Sequence, residues 1–399
     1  MRRPPATIHG FLTTGFADWI SASHAPPRSG RRKHKEALCV IRRLLATPSV
    51  GVADCGPRAV TLESLAGGRS AAHVFKVTPL CGPDGQVEGL PIVIKISPRA
   101  EAEDEKDNYD KFVRAGLPVL CRPELLGFAR TRDYAGLCYS FAGARQGSDV
   151  ATLTNYLQRG DTTKVELVLQ SIFEPMRDTW YSPPLIREES DIALRYLARY
   201  FTRDRKAVES EAILQACTAR YFNAARLDGG CTVGGTYFPP PHALLFARDR
   251  KHPYHSCILH GDLNTDNIFV AHEQPRVTLV DFQKTGRGHV YEDLVALEAG
   301  VRINYPPDAS FTQILQSERL IALGRPQSGG NPYGSSIRTI RGAASRFFGN
   351  LEGAANYHFA VGAIGLRLMQ ATDLSHVARA RVAASVIWAA KVLMGELSV

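Results

Sequence analysis

Hydrophobic and polar positions alternate in short runs over the first third of the chain and recur at helical spacing over the rest. Four apolar runs, three of them separated by Gly-rich turns, predict strands at residues 58–65, 71–80, 90–96 and 134–141. Helices are predicted at residues 97–115, 152–158, 164–180, 186–201, 207–227, 359–369 and 382–394. The pattern predicts an α+β fold, with a small antiparallel sheet lobe that carries one helix and a larger, mainly helical lobe.

The chain of 399 residues is long enough for two lobes with separate cores. Residues 1–57 are predicted to be a basic N-terminal extension that is partly disordered. Residues 58–142 form the predicted sheet lobe, and its last strand leads into a hinge at residues 142–144 whose backbone would bond adenine. Residues 143–399 form the predicted helical lobe, with a catalytic loop at residues 258–283.

Acid and amide side chains between residues 260 and 281 form the most specific pattern of the chain. Asp262 is followed, after four intervening residues, by Asn267, and a predicted β-hairpin then leads to Asp281. Asp262 is suited to accept a proton from a hydroxyl group, and Asn267 and Asp281 carry the oxygen donors that Mg²⁺ prefers. Any one of them alone would be a turn former. Together they predict binding of ATP and Mg²⁺ for phosphoryl transfer.

The predicted sheet lobe supplies a second part of this chemistry. Lys95 lies inside an apolar run, where a lysine is unfavourable unless it is paired or reaches a ligand. An edge strand protected from aggregation by its lysine is the alternative explanation, but the motif around Asp262 favours a lysine that binds the phosphates of ATP. A tight Gly turn one strand earlier would cover the phosphates, a weak pattern that gains value from its position. The residues of this turn are Gly67, Gly68, Arg69 and Ser70.

A carboxylate partner for Lys95 is expected on the predicted helix at residues 97–115. Glu105 shares an apolar helix face with the residues four, seven and eight positions later, so it is the preferred partner. Glu101, one turn earlier on the same face, is the alternative. The acids at the start of this helix are also explained by the helix dipole, which favours negative charge there.

The formal net charge of +9 is concentrated near the N-terminus. Residues 1–50 contain nine Lys or Arg and two acids, a balance of +7, so the remainder of the chain holds only +2. A disordered link is predicted at residues 26–30 and a helix at residues 36–45. Composition favours a solvated, flexible arm over contact with nucleic acid or an acidic partner, which stays open as an alternative.

Cysteine usage and hydropathy place the protein in the cytoplasm. The eight Cys show no C-x-x-C pair and no zinc-binding spacing, which predicts free thiols in a reducing compartment. No apolar run approaches the length of a membrane span, so no contact with a membrane is expected.

With these motifs the chain resembles the aminoglycoside phosphotransferase and choline kinase-like superfamily. It is most similar to the phosphotransferase-like ternary complex associated domain family of bacterial conflict and signalling systems. The resemblance runs from about Val60 to the C-terminus and is loose between residues 151 and 255. It is carried by the turn at residues 67–70, Val93-Ile94-Lys95-Ile96, Glu105, Asn108-Tyr109, His260-Gly261-Asp262-Leu263-Asn264, Asn267-Ile268, Asp281-Phe282, Gly288-His289-Val290 and Asp293-Leu294.

The resemblance implies a protein-kinase-like bilobal fold and Mg²⁺-dependent phosphoryl transfer from ATP. It implies Asp262 as the catalytic base, Asn267 and Asp281 as metal ligands, and Lys95 on the phosphates. It also implies that Asp293 braces the catalytic loop. One departure is Gln283 in the place where kinases carry a Gly after Asp-Phe, because a Gly there permits backbone flips that a Gln resists.

Three functions follow as hypotheses. The first is a phosphotransferase that acts on a hydroxyl acceptor, a small molecule rather than a protein, because the resemblance associates His-Gly-Asp with small-molecule kinases. The second is a nucleotide-binding regulatory module with protein partners in a bacterial complex and little or no turnover. The third, a nucleic-acid protein that uses the basic arm, is disfavoured by the near-neutral remainder of the chain. A predicted loop at residues 231–241 is a candidate substrate lid.

Overall fold

The chain forms two compact units in a computed structural model. One unit comprises Met1–Val150, Ala271–Glu273 and Thr278–Thr285, and the other comprises Ala151–Val270, Gln274–Val277 and Gly286–Val399. The structure describes residues 27–47, 50, 59–65, 72–81, 87–141, 150–160, 162–182, 185–201, 204–227, 229–246, 253–271, 276–306, 309–326 and 332–395. The predicted phosphate-covering turn, Gly67 to Ser70, and the predicted hinge at residues 142–144 lie outside the described residues.

The first unit is built on an antiparallel sheet. Its strands are Ala59–Ser64, His73–Cys81, Val87–Glu88, Ile92–Pro98, Leu125–Arg130 and Tyr134–Ser140. In space the five longer strands run in the order first, second, fourth, sixth, fifth, and the two-residue strand pairs with the second. The four strands predicted in this region are confirmed, and Leu125–Arg130 is an additional strand that the pattern did not reveal.

A helix, Pro27–Leu45, covers one face of this sheet. Side chains alternate between the two faces of a strand, so Ile94 and Ile96 join the core formed with the helix, and Lys95 points to the opposite face. The helix predicted from Glu36 is confirmed, but it begins at Pro27, so the predicted disordered link is wrong from that residue onward. Burial of an apolar face stabilises a helix that composition alone does not favour.

The helix Arg99–Asn108 packs against the strands Ile92–Pro98 and Tyr134–Ser140. It starts directly after Pro98 and continues through a π-helical turn, Tyr109–Val113, which buries the Tyr109 ring. Single π-helical turns inside α-helices are frequent at functional sites. The helix predicted at residues 97–115 is confirmed, and Glu105 lies on its buried side.

The second unit is mainly helical. Together with the sheet of the first unit, it confirms the predicted α+β fold class. Its helices are Leu153–Arg159, Thr162–Arg177, Ile192–Tyr200, Asp204–Phe222, Pro241–Leu245, Glu292–Asn304, Phe311–Ala322, Pro332–Phe348, Ala354–Leu368 and His376–Leu393. Almost every side chain of the first half of Glu292–Asn304 is buried, and so are long stretches of the last two helices. Among the described residues, no helix combines the length and the apolar character needed to cross a bilayer.

Two predicted helices are shorter than their sequence pattern suggests. The segment predicted as one helix at residues 186–201 begins with the strand Ile186–Glu188, and its helix starts only after Asp191, whose side chain accepts a 3.0 Å hydrogen bond from the Ala193 N–H. Such an N-cap fixes the first turn. The helix predicted at residues 207–227 ends at Phe222 and is followed by the strand Ala225–Leu227.

The loop predicted at residues 231–241 is a β-hairpin instead. The strands Gly230–Val233 and Thr236–Phe238 pair antiparallel, with Val233 opposite Thr236. Gly234 and Gly235 form the two-residue turn with φ values of 54° and 78°. Two successive positive φ angles suit the tight turns that join antiparallel strands. These glycines therefore form a hairpin turn where the Gly- and Pro-rich composition predicted a loop.

A three-stranded sheet of the second unit precedes the motif that begins at His260. Tyr254–Leu259 pairs with Ile186–Glu188 on one side and Gly286–His289 on the other. It ends directly before His260. The two strands predicted around residues 268 and 277 are confirmed as Ile268–Ala271 and Val277–Leu279.

Candidate functional site

Lys95 lies on the central strand Ile92–Pro98, between the strands His73–Cys81 and Tyr134–Ser140. The explanation of Lys95 as an edge-strand residue is therefore wrong. The Lys95 side chain is 9% exposed, and its Nζ lies 2.7 Å from Glu105 Oε2 and 2.9 Å from Asp281 Oδ1. Burial alone would lower the pKa of Lys95, but the two carboxylates outweigh burial and raise it. The lysine is held in its charged form between two acids.

Glu105, rather than the alternative Glu101, is the helix carboxylate that pairs with Lys95. Its other oxygen, Oε1, accepts a 2.9 Å hydrogen bond from the hydroxyl group of Tyr139. Tyr139 is buried on the neighbouring strand, opposite Val93 in the register. Both oxygens of Glu105 are thus engaged, and a fixed carboxylate fixes the position of the lysine ammonium.

Asp281 adopts a backbone conformation that few residues other than Gly occupy, with φ of 68°. A non-Gly residue there is uncommon, although Asp and Asn tolerate it better than most, and such conformations are concentrated at functional sites. The carboxylate is 30% exposed and accepts the hydrogen bond from Lys95. This backbone conformation therefore sets the direction of the Asp281 side chain, whose carboxylate is partly accessible.

The two residues after Asp281 are held by the same helix that carries Glu105. The Phe282 ring is fully buried and meets the Tyr109 ring edge-on, with centroids 5.9 Å apart. Asn108 Nδ2 donates a 2.7 Å hydrogen bond to the carbonyl oxygen of Gln283. Three consecutive residues of the Asp281 segment therefore have partners on the strand of Lys95 or on its neighbouring helix, which restrains the backbone at Gln283.

In the second unit, Asp293 holds the start of the predicted catalytic loop. Its Oδ2 accepts from the His260 N–H at 2.7 Å, and its Oδ1 accepts from the Gly261 N–H at 2.8 Å. Burial raises the pKa of Asp293, and His260 together with these two N–H groups opposes that rise. Gly261 has φ of 78°, where only glycine is unstrained. The bracing role that the resemblance implied for Asp293 agrees with this geometry.

Within the loop, side-chain hydrogen bonds add to two between backbone groups, in which the Asn264 N–H donates to the Asp262 carbonyl oxygen and the Asn267 N–H to that of Asn264. Asn264 Oδ1 accepts from the Asp266 N–H at 2.9 Å and from the Asn267 N–H at 3.2 Å. Asn267 Nδ2 donates to the Asp262 carbonyl oxygen at 2.9 Å, and the Asp262 N–H donates to His260 Nδ1 at 3.3 Å. With Nδ2 committed to the loop, Oδ1 is the atom that Asn267 can offer to a cation.

Besides Asp293, a second group of residues, the clamp formed by Arg199 and Glu292, holds this loop and was not predicted from the sequence. Arg199 donates a 2.8 Å hydrogen bond to the Gly261 carbonyl oxygen and forms an ion pair with Glu292. Glu292 is 1% exposed and also accepts from Tyr200 at 2.7 Å and from Arg195 at 3.2 Å. The sequence signal for this cluster is slight: two Arg spaced by four residues on a helix that also carries tyrosines.

Asp281 carries oxygen donors that suit a hard divalent cation. Mg²⁺ typically takes one or two protein oxygens together with phosphates and water, and the Asp281 carboxylate of the first unit is 30% exposed. Over the described part of the chain, no three His, Cys, Asp or Glu side chains gather as a metal site.

Comparison with known proteins gives one family match and several structural likenesses. The family described as Ternary complex associated domain 9 matches residues 58–204 and 198–328. No curated protein matches the chain. A solved glucosamine kinase is similar, with 13% identity over 88% of this chain and 83% of that chain and a TM-score of 0.44. An ethanolamine kinase from Plasmodium vivax has 12% identity over 96% of this chain and 95% of its own, with a TM-score of 0.42. An aminoglycoside phosphotransferase from Streptomyces rimosus has 16% identity over 82% and 97%, with a TM-score of 0.38.

Proposed function

The chain belongs to the Ternary complex associated domain 9 family, and from this premise we propose that it is an ATP- and Mg²⁺-dependent phosphotransferase. The acceptor in this proposal is a hydroxyl group, carried by a small molecule rather than a protein. The observation that carries the proposal is the contact of Lys95 with both Glu105 and Asp281. One ammonium between two carboxylates leaves a net negative charge, which favours the arrival of a further cation.

Lys95 and Asp281 have different tasks in this proposal. Glu105 and Tyr139 fix the Lys95 ammonium, which binds phosphate oxygens of ATP as a positioned positive charge. Asp281 and Asn267 would hold Mg²⁺, which when bound offsets charge on the phosphates. The packing of buried Phe282 on Tyr109 and the hydrogen bond of the Gln283 backbone to Asn108 keep the Asp281 carboxylate in place.

Asp262 orients the acceptor hydroxyl group and takes its proton. The acceptor oxygen forms a bond to the γ-phosphorus of ATP, the bond from that phosphorus to the β,γ-bridging oxygen breaks, and ADP leaves with the electron pair. The backbone on the N-terminal side of Asp262 is held through Asp293 and Arg199. Positioning of this kind supplies much of the rate enhancement in phosphoryl transfer.

A second candidate function is a nucleotide-binding regulatory module with little or no turnover. Gln283 favours it. Gln stands where kinases carry a Gly whose backbone can flip, and the backbone carbonyl of Gln283 accepts a hydrogen bond from Asn108. Such a module would bind ATP and Mg²⁺ through the same residues and act through protein partners in a larger complex.

The test compares the wild-type chain with Asp262→Asn and Asp281→Asn. Thermal unfolding is measured with ATP and with Mg²⁺ plus ATP, and ADP release is measured with a panel of amino alcohols, amino sugars and a Ser/Thr peptide. Asp107→Asn is the matched control, since the Asp107 side chain is 80% exposed on the same helix as Glu105.

We expect Mg²⁺-dependent stabilisation by ATP in the wild type, in Asp262→Asn and in the control, and its loss in Asp281→Asn. We expect ADP release to fall at least about a hundredfold in Asp262→Asn, the lower end for a general base. Stabilisation without ADP release on any acceptor supports the regulatory module. No stabilisation by ATP in the wild type contradicts both functions.

A further inference from the structure

The helix Pro27–Leu45 concentrates most of the net charge of the protein. Its sequence contains seven basic residues and one acid, Glu36, a balance of +6 against +9 for the whole chain. The basic residues are Arg28, Arg31, Arg32, Lys33, Lys35, Arg42 and Arg43. Most of them are Arg, whose guanidinium matches the geometry of phosphate oxygens.

The helix that carries this charge is packed against the sheet of the first unit. Val40 and Leu44 are fully buried in the core shared with the sheet. The Glu36 carboxylate accepts from Thr131 Oγ1 at 2.9 Å and from the Asp133 N–H at 3.0 Å, which joins the helix to the turn between two strands. The only acid of the helix thus bonds the neighbouring turn, and the helix is anchored on its apolar side.

Basic side chains are exposed on the helix and on the adjoining strand end. Lys35, Arg42 and Arg43 are exposed. Arg43 donates to the carbonyl oxygen of Arg130, a residue 60% exposed and paired with Glu103. Arg132, in the turn that Glu36 contacts, is 81% exposed. The resulting surface, termed the basic ridge, comprises Lys35, Arg42, Arg43, Arg130 and Arg132.

We infer that the basic ridge is a docking surface for the phosphate backbone of a nucleic-acid duplex. A membrane-surface helix needs its apolar face for the lipid, and here that face is buried against the sheet. A single strand is bound largely by stacking on aromatic side chains, and the helix contains no Phe, Tyr or Trp. The basic side chains described on the helix, Lys35, Arg42 and Arg43, extend over about 12 Å of it, which is enough to meet several phosphates of a duplex. Contacts of this kind are independent of base sequence.

The experiment measures binding of the full chain to a labelled random-sequence DNA duplex of about 20 base pairs by fluorescence anisotropy, between about 50 and 200 mM salt. The test variant replaces Lys35, Arg42 and Arg43 by Gln. The matched control replaces three exposed arginines of the second unit by Gln, so that both variants lose the same charge. These control positions are Arg205, Arg220 and Arg367.

We expect the wild type and the control to bind with the same salt dependence. In the test variant, affinity at low salt falls about tenfold or more, and the slope of log K against log salt decreases by about 3, one unit for each lost phosphate contact. A variant that keeps the charge, Lys35→Arg with Arg42→Lys and Arg43→Lys, retains binding, which shows that the positive charge at these positions is what the duplex requires.

Three results overturn the inference. The wild type does not bind the duplex at low salt, the control triple weakens binding as much as the test triple, or polyglutamate or anionic phosphatidylserine vesicles bind more tightly than the duplex. The last outcome would assign the basic ridge to an acidic protein or to a lipid surface. Stabilisation by Mg²⁺ and ATP is expected to be unchanged in the test triple, so this result is separable from the proposed catalytic function.

Discussion

Arg199 donates a 2.8 Å hydrogen bond to the carbonyl oxygen of Gly261, the residue immediately before Asp262. The N–H of the same Gly261 donates at 2.8 Å to Asp293. Glu292, which pairs with Arg199, is the neighbour of Asp293 at the start of the helix Glu292–Asn304. Two adjacent acids therefore hold both sides of one residue, Asp293 directly and Glu292 through Arg199.

Arg199→Ala should lower the rate of phosphoryl transfer with little effect on ATP binding. Without the guanidinium, the Gly261 carbonyl loses its partner and the loop that carries Asp262 gains freedom, and a misplacement of about 1 Å can lower a rate about a hundredfold. We expect kcat to fall by about ten- to a hundredfold, with KM for ATP nearly constant. Steady-state ADP release measures both constants.

Arg199→Lys should recover part of kcat, because the charge still pairs with Glu292. Arg205→Ala, at an exposed position of the helix Asp204–Phe222, is the control and should leave both constants unchanged. A rise in KM for ATP at constant kcat in Arg199→Ala would show that Arg199 does not act through the position of Asp262.

Asn108→Ala should weaken binding of Mg²⁺ and ATP. The substitution removes the hydrogen bond to the Gln283 carbonyl, so the backbone beside Asp281 is less restrained. A hydrogen bond of this kind contributes about 1 kcal/mol, which corresponds to an about fivefold increase in Kd. Isothermal titration calorimetry with a non-hydrolysable ATP analogue and Mg²⁺ measures the change.

Asp107→Ala, one residue earlier and exposed, is the control for Asn108→Ala and should keep the wild-type Kd. An unchanged Kd in Asn108→Ala would mean that the Gln283 backbone contributes nothing to cation binding. In that case the Asp281 segment would be restrained by the hydrogen bond from Lys95 and by the packing of Phe282 on Tyr109.

The sequence specified the local parts of the site better than their surroundings. The apolar run around Lys95 predicted a lysine that is paired or reaches a ligand, and helical spacing selected Glu105 over Glu101 as its partner; both predictions agree with the structure. They depend only on the pattern within one element. The roles of Asp262, Asn267 and Asp281 in binding and catalysis stay predictions.

The clamp formed by Arg199 and Glu292 could not be predicted in the same way. It joins residues 62 positions apart, Arg199 and Gly261, and no periodicity within one element records such a contact. The start of the N-terminal helix could not be predicted for a related reason. Composition marked residues 26–30 as a flexible link, whereas burial of Val40 and Leu44 against a distant sheet makes a helix from Pro27 onward favourable.

Gly136→Ala should loosen the contact between the helix Pro27–Leu45 and the sheet. A Cβ at this position would lie 2.5 Å from Val40 Cγ1, closer than carbon atoms approach without a shift. Such overpacking is expected to cost about 1–3 kcal/mol of unfolding free energy. Hydrogen exchange of the helix amides and urea unfolding followed by circular dichroism measure the local and the overall effect.

Val40→Ala provides the matched test of this contact. Alone it removes buried methyl groups and should destabilise the first unit, but combined with Gly136→Ala it makes room for the new methyl group. The double variant should therefore be more stable than the sum of the single effects, by about 0.5–3 kcal/mol. Strict additivity would contradict direct packing of Val40 on Gly136.

Glu298 gives the stability of the second unit a defined dependence on pH. It is fully buried, and its Oε1 lies 2.8 Å from Arg341 and 2.7 Å from Arg302. Burial would raise its pKa, but Arg341 and then Arg302 outweigh burial and lower the pKa from 4.5 to about 2. Because the folded pKa lies below the unfolded one, the stabilisation is complete above pH 4.5 and is lost as the pH falls towards 2.

Glu298→Gln should remove this dependence and destabilise the protein at neutral pH. Loss of one partner leaves buried guanidinium groups with less compensation, which typically costs about 3–5 kcal/mol. Urea unfolding of wild type and variant is compared at pH 7, 5 and 3, with Glu189→Gln as a control because the Glu189 side chain is 78% exposed. The difference between wild type and Glu298→Gln should shrink from pH 5 to pH 3. Parallel pH profiles would show that Glu298 is not held ionised by Arg302 and Arg341.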